Sequence, residues 1–309
     1  MALTEDTKGA ALLVAKILDG KSIAVQVREE VAVGVEKVKS KYCVTPTLSV
    51  IQVGTDPAST VYVQNKRKAA LKVGMNAHDV QLPTNISQDS LISTVKRVSE
   101  DHSVHGILIQ LPLPPHIDSE SVIESISPEK DVDGLHPVNV GLLCGGRPQF
   151  IPATPAGIQE MLLQSGYVPD GQHVVICGRS NIVGKPVAML LMQRKPGANA
   201  TVTICHSRTK DLARITRQAD ILIAAVAQPL FITADMIKSD AVIVDVGINR
   251  MLAPDRKSGY RVVGDVDFDG VFHKASAISP VPGGVGPMTI AMLLKNTLAA
   301  AHLAVGSPA

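Results

Sequence analysis

Ser59, Tyr62 and Lys66 follow one another at spacings of three and four. In a helix those spacings stack side chains on one face. Such a face can line a pocket or simply meet water. Lys68 and Lys72 already supply a charged face elsewhere, so Tyr62 on a polar face needs another reason. A lysine withdrawn from water titrates near neutrality and can move protons. Gln110 comes directly after the apolar run GILI, and Asp131 and Asp133 stand in KDVDGLHP. Polar groups at the carboxyl ends of strands are where α/β sheets hold ligands, although loop aspartates are also turn formers. A lysine, a glutamine and an aspartate from three such segments can converge on one pocket. The sequence has no Ser-His-Asp spacing, H-E-x-x-H or P-loop.

A second constellation is VVICGRSNIVGKP, from Val174 to Pro186. An apolar strand runs into a turn with Gly178 and Gly184, and a helix follows, which is the setting of a dinucleotide-binding turn. Gly178 permits the tight turn, Gly184 lets the helix approach the sheet, and Pro186 suits a helix start. Free amides there can hold phosphate. The usual second glycine is absent, and Arg179 and Ser180 occupy the turn. The next strand, TVTIC, ends in HSRT with no acid at its tip. An acid there would accept from the ribose of NAD. Ser207, Arg208 and Thr209, with Arg179 nearby, instead suit a 2′-phosphate through charge-assisted hydrogen bonds, which points to NADP. The plainer reading makes Arg179 a solvated residue of an ordinary turn.

The elements that must position these residues alternate between strand and helix along the chain. Apolar residues at 23, 27, 31, 35 and 38 mark a helix, and TLSVIQVG reads as a buried strand. Asp56-Pro57 opens the helix that carries Tyr62 and Lys66, and Gly74 closes it. MNAHDVQL and HGILIQL read as strands, with helices over SQDSLISTVKRVSED and 119–126. The Gly- and Pro-rich run DVDGLHPVNVGLLCGGRPQFIPATPAG reads as an interdomain linker and working loop. The alternation restarts at GIQEMLLQSG, continues through HVVIC, TVTIC, DILIAAV and AVIVDVG, and ends in a helix from about 288 to 302. This pattern predicts two α/β domains built on parallel sheets, the second a Rossmann-type unit over 157–284, with a cleft between them. Periodicity leaves open whether the last helix, after PVPGGVGPM, returns to the first domain.

Composition narrows the function classes. The 309 residues suggest two domains, at roughly 100–200 residues each. A net charge of +2 and the absence of Trp argue against nucleic acid. No apolar run reaches the ~18 residues of a membrane span. Cys43, Cys144, Cys177 and Cys205 show no metal-ligand spacing, and reduced thiols of a cytoplasmic protein are the expected state. Glu5 and Asp6 precede the early apolar patch, which argues against a targeting peptide.

The stretches VGTDPASTVYVQNKRKAALKVGM, GILIQLPLP, EKDVDGLHPVNVG, GRSNIVGKP, CHSRT and SPVPGGVGPMTIAMLLKNT occur in that order from about residue 17 to 302. Together they resemble the bifunctional methylenetetrahydrofolate dehydrogenase/cyclohydrolase family of the FolD type. The resemblance implies NADP-dependent oxidation of 5,10-methylenetetrahydrofolate to the 5,10-methenyl form, then hydrolysis to 10-formyltetrahydrofolate. It implies catalytic roles for Tyr62, Lys66, Gln110 and Asp133. Ile109, Leu111 and the loop Pro282, Gly283, Gly284, Val285, Gly286 would border the folate. Gly178, Arg179, Ser180 and Ser207 would hold NADP, with Ile248 beside the nicotinamide. Asp133 would meet the amino-pyrimidine edge of the pterin, and Tyr62 would stack on the folate's aromatic body. The family pattern also implies a folate domain of residues 1–156 plus 285–309, a nucleotide domain of 157–284, and a homodimer joined through the latter. The sequence departs from that pattern before Ile17, in QRKPGANATVTIC and NRMLAPDRKSGYRVVGDV, which look long, and at Ala153, where Cys is common.

Overall fold

The computed structural model describes residues 14–256 and 259–306. The early segment judged against a targeting peptide lies outside the described residues. A two-residue strand β1 (Lys16–Ile17) leads into helix α1 (Gly20–Tyr42). Asp19 starts α1 by accepting from the amides of Lys21 and Ser22, which satisfies donors a helix start leaves open. Val27, Val31, Val35 and Val38 then bury one face of it.

Strand β2 (Thr47–Val53), helix α2 (Pro57–Lys72), strand β3 (Asn76–Leu82), helix α3 (Gln88–Glu100) and strand β4 (Gly106–Ile109) follow. The strands make a parallel sheet in the order β3-β2-β4. All seven residues of β2 are buried, as a central strand covered on both faces requires. A short helix α4 (Ser119–Glu124) comes next.

The Gly- and Pro-rich run after Asp133, expected as an interdomain linker and working loop, is largely helical. It forms helix α5 (Pro137–Cys144), and helix α6 (Ala153–Gln164) begins four residues before the expected Gly157. The prolines fall where a helix tolerates them. Pro137 opens α5 behind His136, whose ring accepts from the Val138 amide. Pro155 sits in the first turn of α6, where no intrahelical amide is lost.

The second sheet contains strand β5 (His173–Cys177), helix α7 (Gly184–Leu191), strand β6 (Thr201–Cys205), helix α8 (Leu212–Thr216), and strands β7 (Ile221–Ala224) and β8 (Val242–Asp245). An antiparallel hairpin of β9 (Asn249–Leu252) and β10 (Tyr260–Val263) stands apart. Helix α9 (Phe268–Phe272), strand β11 (Ala277–Ile278) and helix α10 (Val285–Ala304) complete the chain. The parallel order is β1-β11-β8-β7-β5-β6. Thus Lys16 and Ile17, placed by sequence with the first unit, extend the second unit's sheet beside Ala277 and Ile278. A two-residue strand carries no periodicity, and its partner lies far along the chain.

Helix α10 packs against α1 and α6 and reaches β2 and β4. Asn296 on α10 donates to the carbonyls of Val132 and Ile151. One apolar cluster runs from Leu48 and Leu108 through Met288 and Leu293 to Val174 and Val244. Among the described residues no helix is long and apolar enough to cross a membrane, and no group of acidic, histidine and cysteine side chains is arranged to hold a metal ion.

Candidate active site

Helix α2 begins where Asp56 accepts from the Ser59 amide at 2.8 Å, with Pro57 as its first residue. That start sets the phase that turns Lys66 inward. The Lys66 amine donates to Gln110 Oε1 at 3.0 Å. Gln110 is held in turn from both ends: its amide donates to Ile51 O at 2.9 Å, and its side-chain Nε2 donates to Leu111 O at 2.8 Å. It stands at the carboxyl end of β4, just past the last ladder residue. Asp133 follows Asp131, which is buried and accepts from the His136 amide and from Asn139 Nδ2, both at 2.8 Å. Asp131 therefore shapes the turn, and Asp133 is left for the cavity. Lys66, Ile109, Gln110, Leu111 and Asp133 line one cavity of about 130 Å³.

Burial dominates the electrostatics of this cavity. It lowers the Lys66 amine from the usual lysine range, and the nearby Asp133 charge opposes that shift. It pushes the Asp133 carboxyl up to about 6; Lys66 works against that rise and Asp131 adds to it. Each partner softens the other's shift without reversing it.

Tyr62 is 39% exposed and does not line the cavity. Burial raises its phenol, and the charge of Arg250 on β9 opposes this. The hairpin of the second unit therefore lies close enough to α2 to act on it. Ser59 is also outside the cavity.

A second cavity, of about 250 Å³, opens at the carboxyl ends of β5, β6 and β7. Gly178, Arg179 and Ser207 line it. Gly178 has φ +128°, and a Cβ there would meet Ala225 O at 2.1 Å; one at Gly184 would meet Gly178 O at 2.2 Å. The turn thus needs bare backbone at both places. Ser180 Oγ accepts from the amides of Val183 and Gly184 at 3.2 and 3.4 Å. Its hydroxyl closes the turn and does not line the cavity. At the tip of β6, the His206 amide donates to Thr209 Oγ1 and the Arg208 amide to His206 Nδ1. This turn presents Ser207, and among the described residues no carboxylate lines the cavity.

Comparison with known proteins establishes the family. Residues 18–133 match the model of the tetrahydrofolate dehydrogenase/cyclohydrolase catalytic domain, and 152–305 match that of the family's NAD(P)-binding domain. The chain belongs to the tetrahydrofolate dehydrogenase/cyclohydrolase family. It is 54% identical to the bifunctional protein FolD of Salinibacter ruber over 94% of this chain and 96% of that one. The solved FolD of Campylobacter jejuni superposes with a TM-score of 0.88 at 46% identity, covering 94% and 99% of the two chains. The Trypanosoma brucei enzyme, solved with NADP cofactor and an inhibitor, gives 0.89 at 42% identity, covering 94% and 99%.

In this member of the family, several cavity residues escape sequence reasoning. Ile182, from the glycine turn of the second unit, lines the Lys66 cavity, as do Leu135, Pro152 and Thr154 of the supposed linker and Thr289 of α10. Thr154 and Thr289 hydroxyls are 3.0 Å apart. No local spacing signals Ile182 or Thr154. Thr289, one turn into α10, is a polar residue in an apolar helix and gave a signal that was there to be read. Pro282, Gly283, Gly284, Val285 and Gly286 do not line the cavity. Ile248 is 51% exposed and approaches this loop, since a Cβ on Gly286 would lie 4.0 Å from Ile248 Cδ1.

Proposed function

We propose that this chain oxidises 5,10-methylenetetrahydrofolate with NADP and hydrolyses the methenyl product to 10-formyltetrahydrofolate at one site. The observation that carries the reading is the Lys66–Gln110 hydrogen bond in a cavity that Asp133 and the nucleotide turn also line. The second cavity fits a phosphorylated dinucleotide, with backbone cradles at Gly178 and Gly184 that a Cβ would fill and Arg179 and Ser207 for a 2′-phosphate. When bound, NADP supplies the acceptor for the hydride.

Oxidation takes a hydride, with its electron pair, from a carbon between two nitrogens, and the positive charge left spreads over both. That step needs alignment and no general base. Tyr62 and the loop 282–286 orient the folate, Asp133 accepts from its amino-pyrimidine edge, and Ile248 bears on the nicotinamide side. Hydrolysis adds water to the cationic carbon with loss of one proton; the carbon's bond to N5 then breaks, N5 takes up the remaining water proton, and the carbon becomes the formyl carbonyl on N10. Lys66, with its amine biased toward the neutral form, takes the proton lost on attack, and Gln110 holds the amine in place.

The folate part comprises residues 1–156 and 285–309 and the nucleotide part 157–284, with β1 lent to the nucleotide sheet. A homodimer joined through the nucleotide part is supported by β6, a sheet edge, with exposed Ile204 on it and exposed Met192 nearby in sequence. Four unpaired cysteines suit the reducing cytoplasm. An assay with methylenetetrahydrofolate and NADP or NAD in parallel tests the function. No methenyl product with either nucleotide would defeat it.

A further inference from the structure

Asp245 and Asp265 are buried behind the nucleotide cavity, and no ion pair reaches either among the described residues. Burying an unpaired charge is costly unless hydrogen bonds replace water. Here they do. Asp265 Oδ2 accepts from the amides of Val226 and Ala227 at 2.6 and 3.0 Å. Its Oδ1 accepts from the Gln228 amide at 3.0 Å and from Asn249 Nδ2 at 2.8 Å. Asp245 Oδ1 accepts from the amides of Gly247 and Asp265, both at 2.9 Å, and its Oδ2 from the Val266 amide at 3.0 Å. The Asp245 amide donates to Ser279 Oγ at 2.8 Å.

These bonds join three places that the reaction must keep in register. Val226 and Gln228 line the nucleotide cavity. Asn249 follows Ile248, which faces Gly286. Ser279 begins the stretch that leads to the folate loop. An ionised carboxylate accepts at both oxygens and can gather four donors; a neutral amide has one acceptor atom and two hydrogens of its own.

We propose that Asp265 is a positioning residue for hydride transfer, pinning the 225–228 loop and Asn249 so that nucleotide and folate meet at a set separation. Hydrolysis is independent of it, because Lys66, Gln110 and Asp133 are placed by α2, β4 and the loop after it. The proposal rests on reading the 250 Å³ cavity as the NADP site.

Asp265→Asn keeps the shape and turns one acceptor into a donor that confronts backbone amides. Misplacing reactants by ~1 Å costs about 10²-fold, so the dehydrogenase kcat should fall on that scale. Hydrolysis of methenyltetrahydrofolate without nucleotide should stay at the parental rate. The isotope effect with substrate deuterated at the methylene carbon should grow as hydride transfer becomes limiting. Parallel loss of both activities would make Asp265 a fold residue and overturn the proposal, as would an unchanged dehydrogenase. Should Asp265→Asn not fold, Asn249→Ala removes only the donor beside Ile248; the same split between activities supports the proposal, and no split overturns it. Arg179→Ala separates the underlying reading: a raised NADP KM upholds the cavity assignment, and an unchanged one removes it and the proposal together.

Discussion

In the proposed function, an amine 3.0 Å from a glutamine oxygen, with a carboxyl close by, is the group that separates proton transfer from alignment. Lys66→Met keeps most of the side chain and removes the amine. Cyclohydrolase should fall by ~10²–10⁴-fold, the range of general acid–base catalysis, while dehydrogenase keeps a substantial fraction. Following methenyl-folate formation with NADP and its decay without NADP measures both. Equal losses would make Lys66 a positioning group for both steps. Asp133 allows a different measurement. Its carboxyl is raised to about 6 in the fold from 3.8, so between those values the folded chain holds the proton more tightly. Stability from this group is therefore present below the unfolded pKa and lost as pH rises through about 6. Asp133→Asn should raise Tm at pH 8, and the gain should vanish as pH falls toward 4. A Tm gain that is the same at both ends would show that ionisation is not its source.

Among the elements, those with clear period were legible. Helices α1 and α2 and the strands β2, β4, β5 and β8 carry their pattern locally, and so the sequence alone places Lys66, Gln110 and Gly178 on their elements. Helix α5 was hidden by a proline at its first position, by Gly141 in its interior and by Gly145 just past its end. The β9–β10 hairpin was hidden by its long connection, and β1 by having only two residues. Ile182 is brought to the Lys66 cavity from the second unit, and Thr154 by packing of α6 against α10; no spacing encodes either. The edge strand β6 makes a testable case. Ile204, 39% exposed on that edge, should be covered in a homodimer. Ile204→Lys should shift the sedimentation profile from dimer to monomer, since a charge on an edge opposes pairing. A parental protein that already sediments as a monomer would refute the dimer.

On the scale of the molecule, the two units share one apolar cluster through α10. Calorimetry should therefore show one unfolding transition, with calorimetric and van't Hoff enthalpies equal. NADP at a hundred times its Kd should stabilise the whole chain by ~2.7 kcal/mol. Two resolved transitions, only one of them moved by NADP, would show that the units melt independently.

The pairing of β1 with β11 has a consequence for biosynthesis. Ile17 leaves the ribosome early, yet its neighbour Ile278 is translated near the end. At ~5–20 residues per second, the nascent chain waits on the order of tens of seconds for that partner. The valine face of α1, which ends up against α10, waits for a partner made later still. During that interval the amino-terminal segment offers an uncovered apolar surface and an unpaired strand edge. The growing polypeptide is then most open to chaperone capture, and only completion of its last helix closes the surface.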